Sequence, residues 1–345
     1  MDTITIPRPT DAHLHLRDGA ALAAVLPDTA RQFARAVVMP NLKPPVVTTA
    51  DALAYQARIQ AALPAGADFT PMMTLYLTDN TDPAEIERAV DAGVVGVKLY
   101  PAGATTNSDH GVTAIEKVEP VLAEMARLGL PLLTHGEVTT HDVDIFDRER
   151  VFLETILGPL LDRQPDLRVV LEHVTTAAGV EFIRGAGSRV AGTLTAHHLL
   201  VDRNAMLVGG IRPHYYCLPI LKRRTDREAL LEAATSDHPS FFLGTDSAPH
   251  AVGAKESACG CAGCYTAHAA LELYAEAFDE VGALDRLGDF AARRAEAWYG
   301  WAPAAGSVTL QRARWAPPQV VSFGEGLQVR PWRAESELQW RMTAG

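Results

Sequence analysis

Val94-Val95-Gly96-Val97-Lys98-Leu99-Tyr100 is a short apolar run broken by one lysine, and its flanks decide how it is read. Before it, Pro83–Ala92 reads as a helix stopped at Gly93; after it comes a loop rich in Gly, Thr, Asn and Ser. A helix through Val118–Leu128 follows, and then another apolar run, Leu130–Thr134. Working outward, the same alternation continues both ways. Toward the N-terminus lie a strand at Phe69–Leu77 and a helix at Thr49–Leu63, with Thr48, Thr49 and Asp51 as caps and Pro64 and Gly66 as stops. Beyond these come a strand at Ala34–Pro40, an Ala-rich helix at Asp18–Arg31, and a first strand ending near Asp11–Arg17. That first strand draws its apolar residues from Ile4, Ile6, Leu14 and Leu16. Toward the C-terminus, strands at Leu167–Glu172, Arg189–Thr195 and Ser240–Thr245 alternate with helices at Arg148–Arg163, Ala177–Gly185 and Thr225–Thr235. Helices at Thr266–Phe278 and Leu284–Tyr299 close the series.

Eight short apolar strands, each followed by a helix or a long loop, predict an α/β protein of the (β/α)8 TIM-barrel type. The length of 345 residues suits one such barrel, which needs about 250 residues plus insertions. Residues 1–345 are therefore expected to form a single domain. A short extended appendage from about residue 306, with Val308–Leu310 and Val320–Val321, is expected to pack outside it. No internal repeat or low-complexity tract interrupts the pattern.

The bulk composition narrows the partners. Hydrophobic residues make up 48% and charged residues 21%, as in a globular protein with a sizeable core. A formal net charge of −11 argues against nucleic acid or an anionic membrane surface as partner. A small anionic substrate stays possible, because local arginines can reverse the sign inside a pocket. No apolar run is long enough for a membrane helix, and no basic-then-apolar leader opens the chain. The cysteines are Cys217, Cys259, Cys261 and Cys264, few enough to suggest free thiols and a cytoplasmic location.

In a barrel of this kind, working residues sit at the C-terminal ends of strands. The first strand ends in Asp11-Ala12-His13-Leu14-His15-Leu16-Arg17, where His13 and His15 fall on one face. Two imidazoles so placed can ligate one metal ion, although a bare His-x-His is more often a surface or core pair. The fourth strand carries Lys98, the fifth ends in His135, the sixth in His173 and the eighth in Asp246. Each has a bland explanation alone: a snorkelling lysine, satisfied core histidines, a capping aspartate. Together they put six metal-competent side chains at one rim, which points to a metal site.

These residues resemble the binuclear site of the amidohydrolase superfamily. Further stretches narrow the likeness: Met-Pro-Asn-Leu at 39–42, Val-Lys-Leu-Tyr-Pro-Ala-Gly-Ala-Thr-Thr-Asn at 97–107, Gly-Gly-Ile-Arg-Pro-His at 209–214 and Gly-Thr-Asp-Ser-Ala-Pro-His at 244–250. With Asp11–Arg17, they are similar to the dihydroorotase family of the compact, single-function bacterial type, over nearly the whole chain. The resemblance implies reversible hydrolysis of (S)-dihydroorotate to N-carbamoyl-L-aspartate, the third step of de novo pyrimidine synthesis. It implies two Zn2+ per subunit and a CO2-derived carbamate on Lys98 (an N6-carboxylysine) bridging them. His13, His15 and Asp246 would hold one ion and His135 and His173 the other. A hydroxide between the ions would attack the ring amide carbonyl, with Asp246 as general base and then acid. A homodimer is typical of such relatives.

The resemblance also assigns Arg17, Asn41 and His250 to the substrate carboxylate. Arg17 lies two residues past His15 and suits a bidentate contact, against the alternative of a surface salt bridge. Leu218 and Ala262 would contact the substrate ring through their backbones, an assignment resting on resemblance alone. Thr105 and Thr106 lie in a polar loop between Gly103 and Gly111 that either closes over the substrate or stays solvated. Two other features are set aside. Cys259-x-Cys261-x-x-Cys264 lacks a fourth zinc ligand, with Cys217 distant, and reads as free or buried thiols. His197-His198 follows the seventh strand, where alternation would turn at most one inward. The competing activities are another cyclic-amide hydrolase, such as a hydantoinase or allantoinase, and a metal-poor scaffold that catalyses nothing.

Overall fold

The computed structural model describes residues 2–343. After an opening strand outside the barrel, β1 (Thr3–Pro7), eight strands form one parallel sheet in the order of the chain. They are β2 (Thr10–Leu14), β3 (Arg35–Val38), β4 (Thr70–Tyr76), β5 (Gly96–Leu99), β6 (Leu132–His135), β7 (Val169–Glu172), β8 (Val190–Leu194) and β9 (Phe241–Leu243). Helices and long loops connect them, giving a (β/α)8 TIM barrel. Every residue of β5 to β9 is buried, because helices cover one face and the barrel interior covers the other. Such strands carry apolar runs rather than alternation.

Local sequence sets the helix boundaries. Thr48 and Asp51 form a reciprocal capping box at the start of the helix Thr49–Ala62. Gly129 ends the helix Glu119–Leu128 in the left-handed conformation. The expected helix Arg148–Arg163 is continuous but widens to a π-helical turn at Leu153–Leu157.

The barrel closes between β9 and β2 largely through one side chain. The backbone N–H of Thr245 donates to Asp11 Oδ1 at 2.8 Å, and its hydroxyl donates to Asp11 Oδ2 at 2.6 Å. The N–H of Asp246 donates to the His13 carbonyl at 2.9 Å, and that of His15 to the Ser247 carbonyl at 3.2 Å. Gly244 belongs to the same seam: a Cβ there would stand 2.7 Å from Thr193 Cβ and 3.0 Å from His13 Cβ. Inside the barrel, Ala12, Val37, Met39, Leu133, Val170, Ala191 and Phe242 form a separate apolar plug beneath the rim.

The first strand differs from its sequence reading. Ile4 and Ile6 do not share a strand with Leu14 and Leu16; Pro7 and Pro9 interrupt the run, since neither offers an N–H to a ladder. β1 pairs antiparallel with β10 (Ser307–Trp315), in register from Thr3 opposite Gln311 to Pro7 opposite Ser307. A small hairpin follows, β11 (Val321–Ser322) with β12 (Gln328–Val329), and β13 (Leu338–Thr343) then returns to the other side of β10. The segment past Gly306 thus joins the N-terminal strand in a three-stranded sheet. It also delivers Trp332, 1% exposed, to the loops above the barrel, where Trp332 N–H donates to the Tyr265 carbonyl at 2.8 Å.

Candidate active site

His135 is the last residue of β6, and Lys98 lies within β5. His15, His173 and Asp246 lie just past the ends of β2, β7 and β9. His173 and Asp246 adopt left-handed backbone, φ 42° and 43°, and so does Arg17 at φ 61°. Non-glycine residues in this region cost on the order of 1–3 kcal/mol each and cluster where function demands a direction. At His173 the turn is held by its N–H, which donates to Thr193 Oγ1 at 2.6 Å.

The side chains converge. His13 Nε2 and His15 Nε2 are 3.3 Å apart, and Asp246 Oδ1 lies 3.4 Å from the first and 3.1 Å from the second. The His173 ring centroid is 5.1 Å from that of His13 and 4.8 Å from that of His135. Lys98 Nζ is fully buried without a hydrogen-bond partner, and His173 Nδ1 likewise. A buried ammonium or imidazole left so is unfavourable unless the site holds a further species. All six residues expected at the rim are therefore in one place.

Outer partners fix the inner atoms. His13 Nδ1–H donates to Glu172 Oε2 at 2.8 Å, a carboxylate oxygen that also accepts from Thr193 Oγ1 at 2.6 Å. His15 Nδ1–H donates to Asn41 Oδ1 at 2.9 Å, and His135 Nε2–H to Glu137 Oε2 at 2.8 Å. This leaves Nε2 of His13 and His15, and Nδ1 of His135, for a ligand in the centre. Glu172 and Glu137 were not among the expected site residues. Their signal was present: each is an acidic residue within two positions of a rim histidine, at the end of an apolar strand.

Electrostatics favours cation binding. Burial pushes the Lys98 ammonium down to about 8 and holds His135 and His173 below the usual imidazole range. Burial opposes ionisation of Asp246, yet the contacts with the His13 and His15 imidazoles outweigh it and keep the carboxyl well below the usual range. The donor set of imidazoles, a carboxylate and an amine fits divalent metal ions.

A second polar group borders the first. Arg17 Nε donates to the Pro249 carbonyl at 2.9 Å, and its Nη2 lies 3.0 Å from His250 Nε2, which is itself 3.0 Å from the Ala262 carbonyl. Burial, then Arg17, push the His250 imidazole down to about 2. Leu218 and Ala262 line the same cavity. The loop carrying Thr105 and Thr106 is seated on the cavity rather than solvated. Thr106 Oγ1 donates to the Ala262 carbonyl at 3.5 Å, and Asn41 Nδ2 donates to the Thr106 carbonyl at 3.3 Å. Asn107 Nδ2 donates back to the Asn41 carbonyl at 3.1 Å. Gly111 is required at its base, where a Cβ would meet the Tyr100 carbonyl at 2.3 Å. Asn41 thus spans a rim histidine and the loop.

Of the two features set aside from sequence, one lies elsewhere than expected. His197 and His198 are on a short helix, Ala196–Leu200, so strand alternation does not apply and both are buried. The cysteines are free thiols, Cys217 and Cys264 buried and Cys259 exposed.

The sequence profile of the amidohydrolase family matches residues 5–310. The chain belongs to the amidohydrolase family. Within that family its relatives at high identity are dihydroorotases. The dihydroorotase of Azoarcus sp. strain BH72 is 61% identical over 343 residues, covering 99% of this chain and all of that one. The crystal structure of Saccharomyces cerevisiae dihydroorotase with 5-fluoroorotic acid superposes with a TM-score of 0.92 at 32% identity, covering 99% of both chains. The L-hydantoinase of Arthrobacter aurescens shares the fold, with a TM-score of 0.76 at 17% identity over 95% of this chain and 82% of that one.

Proposed function

We propose that this protein is a metal-dependent cyclic amide hydrolase that interconverts (S)-dihydroorotate and N-carbamoyl-L-aspartate, in the cytoplasm, in pyrimidine biosynthesis. The observation that carries this is the juxtaposition of two groups. Six metal-competent side chains, with Lys98 Nζ buried and unpartnered, lie beside a guanidinium and an imidazole suited to a substrate carboxylate. The full-length likeness to dihydroorotases supports the same conclusion.

His13, His15 and Asp246 would hold one divalent ion, zinc by family resemblance, and His135 and His173 a second. Lys98 would lie between them: burial pushes its ammonium down to about 8, and the neutral fraction would add CO2, releasing a proton, to give a carbamate with two oxygens. Bound there, the ions supply Lewis-acid polarisation of the ring carbonyl and a lowered pKa for water. Asp246 accepts the proton of the attacking water and passes it to the departing ring nitrogen, one carboxylate serving as base and then acid. Arg17, His250 and the free N–H of Asn41 hold the substrate carboxylate and orient the ring. The backbones at Leu218 and Ala262 border that ring. Thr105 and Thr106 close over it and exclude bulk water. A carboxylate pocket distinguishes this substrate from hydantoin or allantoin, which carry none on the ring. The proposal includes a homodimer. Among the described residues no helix is long and apolar enough to cross a membrane.

The test is a spectrophotometric ring-opening assay with dihydroorotate beside hydantoin and allantoin, on protein of determined metal content. Turnover confined to dihydroorotate, lost on chelation and restored by zinc, is expected. Turnover of hydantoin or allantoin instead would overturn the carboxylate pocket, and none by fully metallated protein would overturn the enzyme.

A further inference from the structure

The strands and loops that carry the pocket have a second polar cluster behind them. Leu218 and Ala262–Gly263 line the cavity, and their neighbours Cys217 and Cys264 point the other way into the protein. The two loops are tied together there, since Gly263 N–H donates to the Tyr216 carbonyl at 3.0 Å. Cys217 Sγ lies 3.7 Å from His198 Nε2 and 3.4 Å from the Pro219 carbonyl. The donor atoms of His197, His198 and Cys217 all fall within 4.8 Å of one another. Cys264 stands outside this group, its thiol donating to the His214 carbonyl at 3.5 Å.

His197 makes the cluster more than packing. Its ring is 0% exposed, neither nitrogen has a hydrogen-bond partner, and its centroid is 4.5 Å from that of His198. An imidazole carries one donor and one acceptor whatever its tautomer, so both are left unsatisfied in a dry interior. The converging donors are one thiol and two imidazoles, a set favoured by borderline-soft cations over magnesium or calcium. In a tetrahedral zinc site, neighbouring ligand atoms are about 3.3–3.8 Å apart. The 3.7 Å separation of His198 and Cys217 is already of that size.

We propose that His197, His198 and Cys217 form a second, thiolate-bearing site for a zinc-class divalent cation, separate from the rim, with three protein ligands and a fourth position for water. On binding, the Cys217 thiol loses its proton to solvent, leaving one thiolate against the 2+ charge. His198 changes tautomer: Nε2 gives up its N–H to become the ligand, and Nδ1–H donates to Thr195 Oγ1, 2.7 Å away. The imidazole stays neutral, at the expense of the Pro219 carbonyl, which loses both its Nε2 and its Cys217 thiol donor. The bound ion would tie the helix Ala196–Leu200 to the segment Cys217–Leu218, whose other side borders the pocket.

Cobalt(II) tests this without any reliance on turnover. The rim offers only nitrogen and oxygen, so thiolate-to-cobalt charge transfer in the near ultraviolet can come only from cysteine. Reduced, rim-metallated protein titrated with Co2+ should develop this band with one equivalent per chain. The band should be lost in Cys217→Ser and should require at least a tenfold higher Co2+ concentration in His197→Gln. It should be unchanged in the double variant Cys259→Ser/Cys261→Ser, which removes the outer thiols. No band in the wild type, a band surviving Cys217→Ser, or one abolished by the double variant would each overturn the site. Should Cys217→Ser fail to fold, undiminished affinity in His197→Gln would overturn it alone. A buried water on His197 in place of a cation corresponds to the first of these outcomes.

Discussion

Two groups of buried histidines share the upper half of this barrel, and they are braced in opposite ways. At the rim, His13, His15 and His135 each spend one nitrogen on an outer acceptor, two of them glutamates. Behind the pocket, His198 is tied to a hydroxyl and a carbonyl, and His197 to nothing. The difference lies in what each arrangement specifies. A carboxylate behind an imidazole fixes the tautomer, aims the free nitrogen and raises its basicity, so the rim is committed to cations before any arrives. The inner cluster has no such bracing and must change tautomer to bind. Pre-organisation is a property of the outer partners, not of the histidines.

The largest expected effect breaks the rim at its centre. Lys98→Ala removes the proposed bridge between two ions, and turnover should fall by roughly a thousandfold or more, beyond the loss of one preorganised electrostatic group. Metal analysis should show the second ion missing, and wild-type turnover would refute the bridge. The comparison is sharpened by removing bracing alone. Glu137→Ala or Glu172→Ala should lower metal affinity or activity about 10- to 100-fold, by chelator competition. Each glutamine variant, which retains an acceptor oxygen, should recover part of it. Arg17→Ala should act on substrate rather than metal. Losing a charge-assisted hydrogen bond of about 1.5–3 kcal/mol should raise KM roughly 10- to 100-fold with metal content unchanged. Gly244→Ala probes the seam beneath the rim: overpacking against Thr193 should cost about 1–3 kcal/mol in denaturant unfolding. The smallest effect belongs to the loop. Thr106→Val removes a long contact to the Ala262 carbonyl, and KM should rise by no more than about tenfold.

Much of this was legible in the sequence, for identifiable reasons. The eight barrel strands stood out because burial on both faces makes them apolar runs, and Gly and Pro punctuate their ends. Lys98, His135, His173 and Asp246 stood out because polar residues at the ends of such runs have no packing role. What escaped depends on contacts remote in sequence. Nothing near Ile4 announces that it will pair with Leu310. Glu172 and Glu137 looked like ordinary polar residues next to ligands, since a side chain's orienting role is visible only once its partner's ring is placed. His197 and His198 were misplaced because two residues cannot distinguish a strand exit from the first turn of a helix.

The seam and the outer sheet also bear on how the chain is made. β2, which carries His13, borders β9 in the barrel, and β1, just before it, needs β10. Thr5 bonds Thr309 across 304 positions of sequence. At a synthesis rate of about 5–20 residues per second, those partners reach the N-terminal segment some 15–60 seconds after it emerges. For about the first three quarters of that interval, until Asp246 is made, the nascent chain presents His13 and His15 with neither Asp246 nor a closed wall beside them. Assembly of the rim therefore comes late, and the first histidines synthesised are among the last to be enclosed.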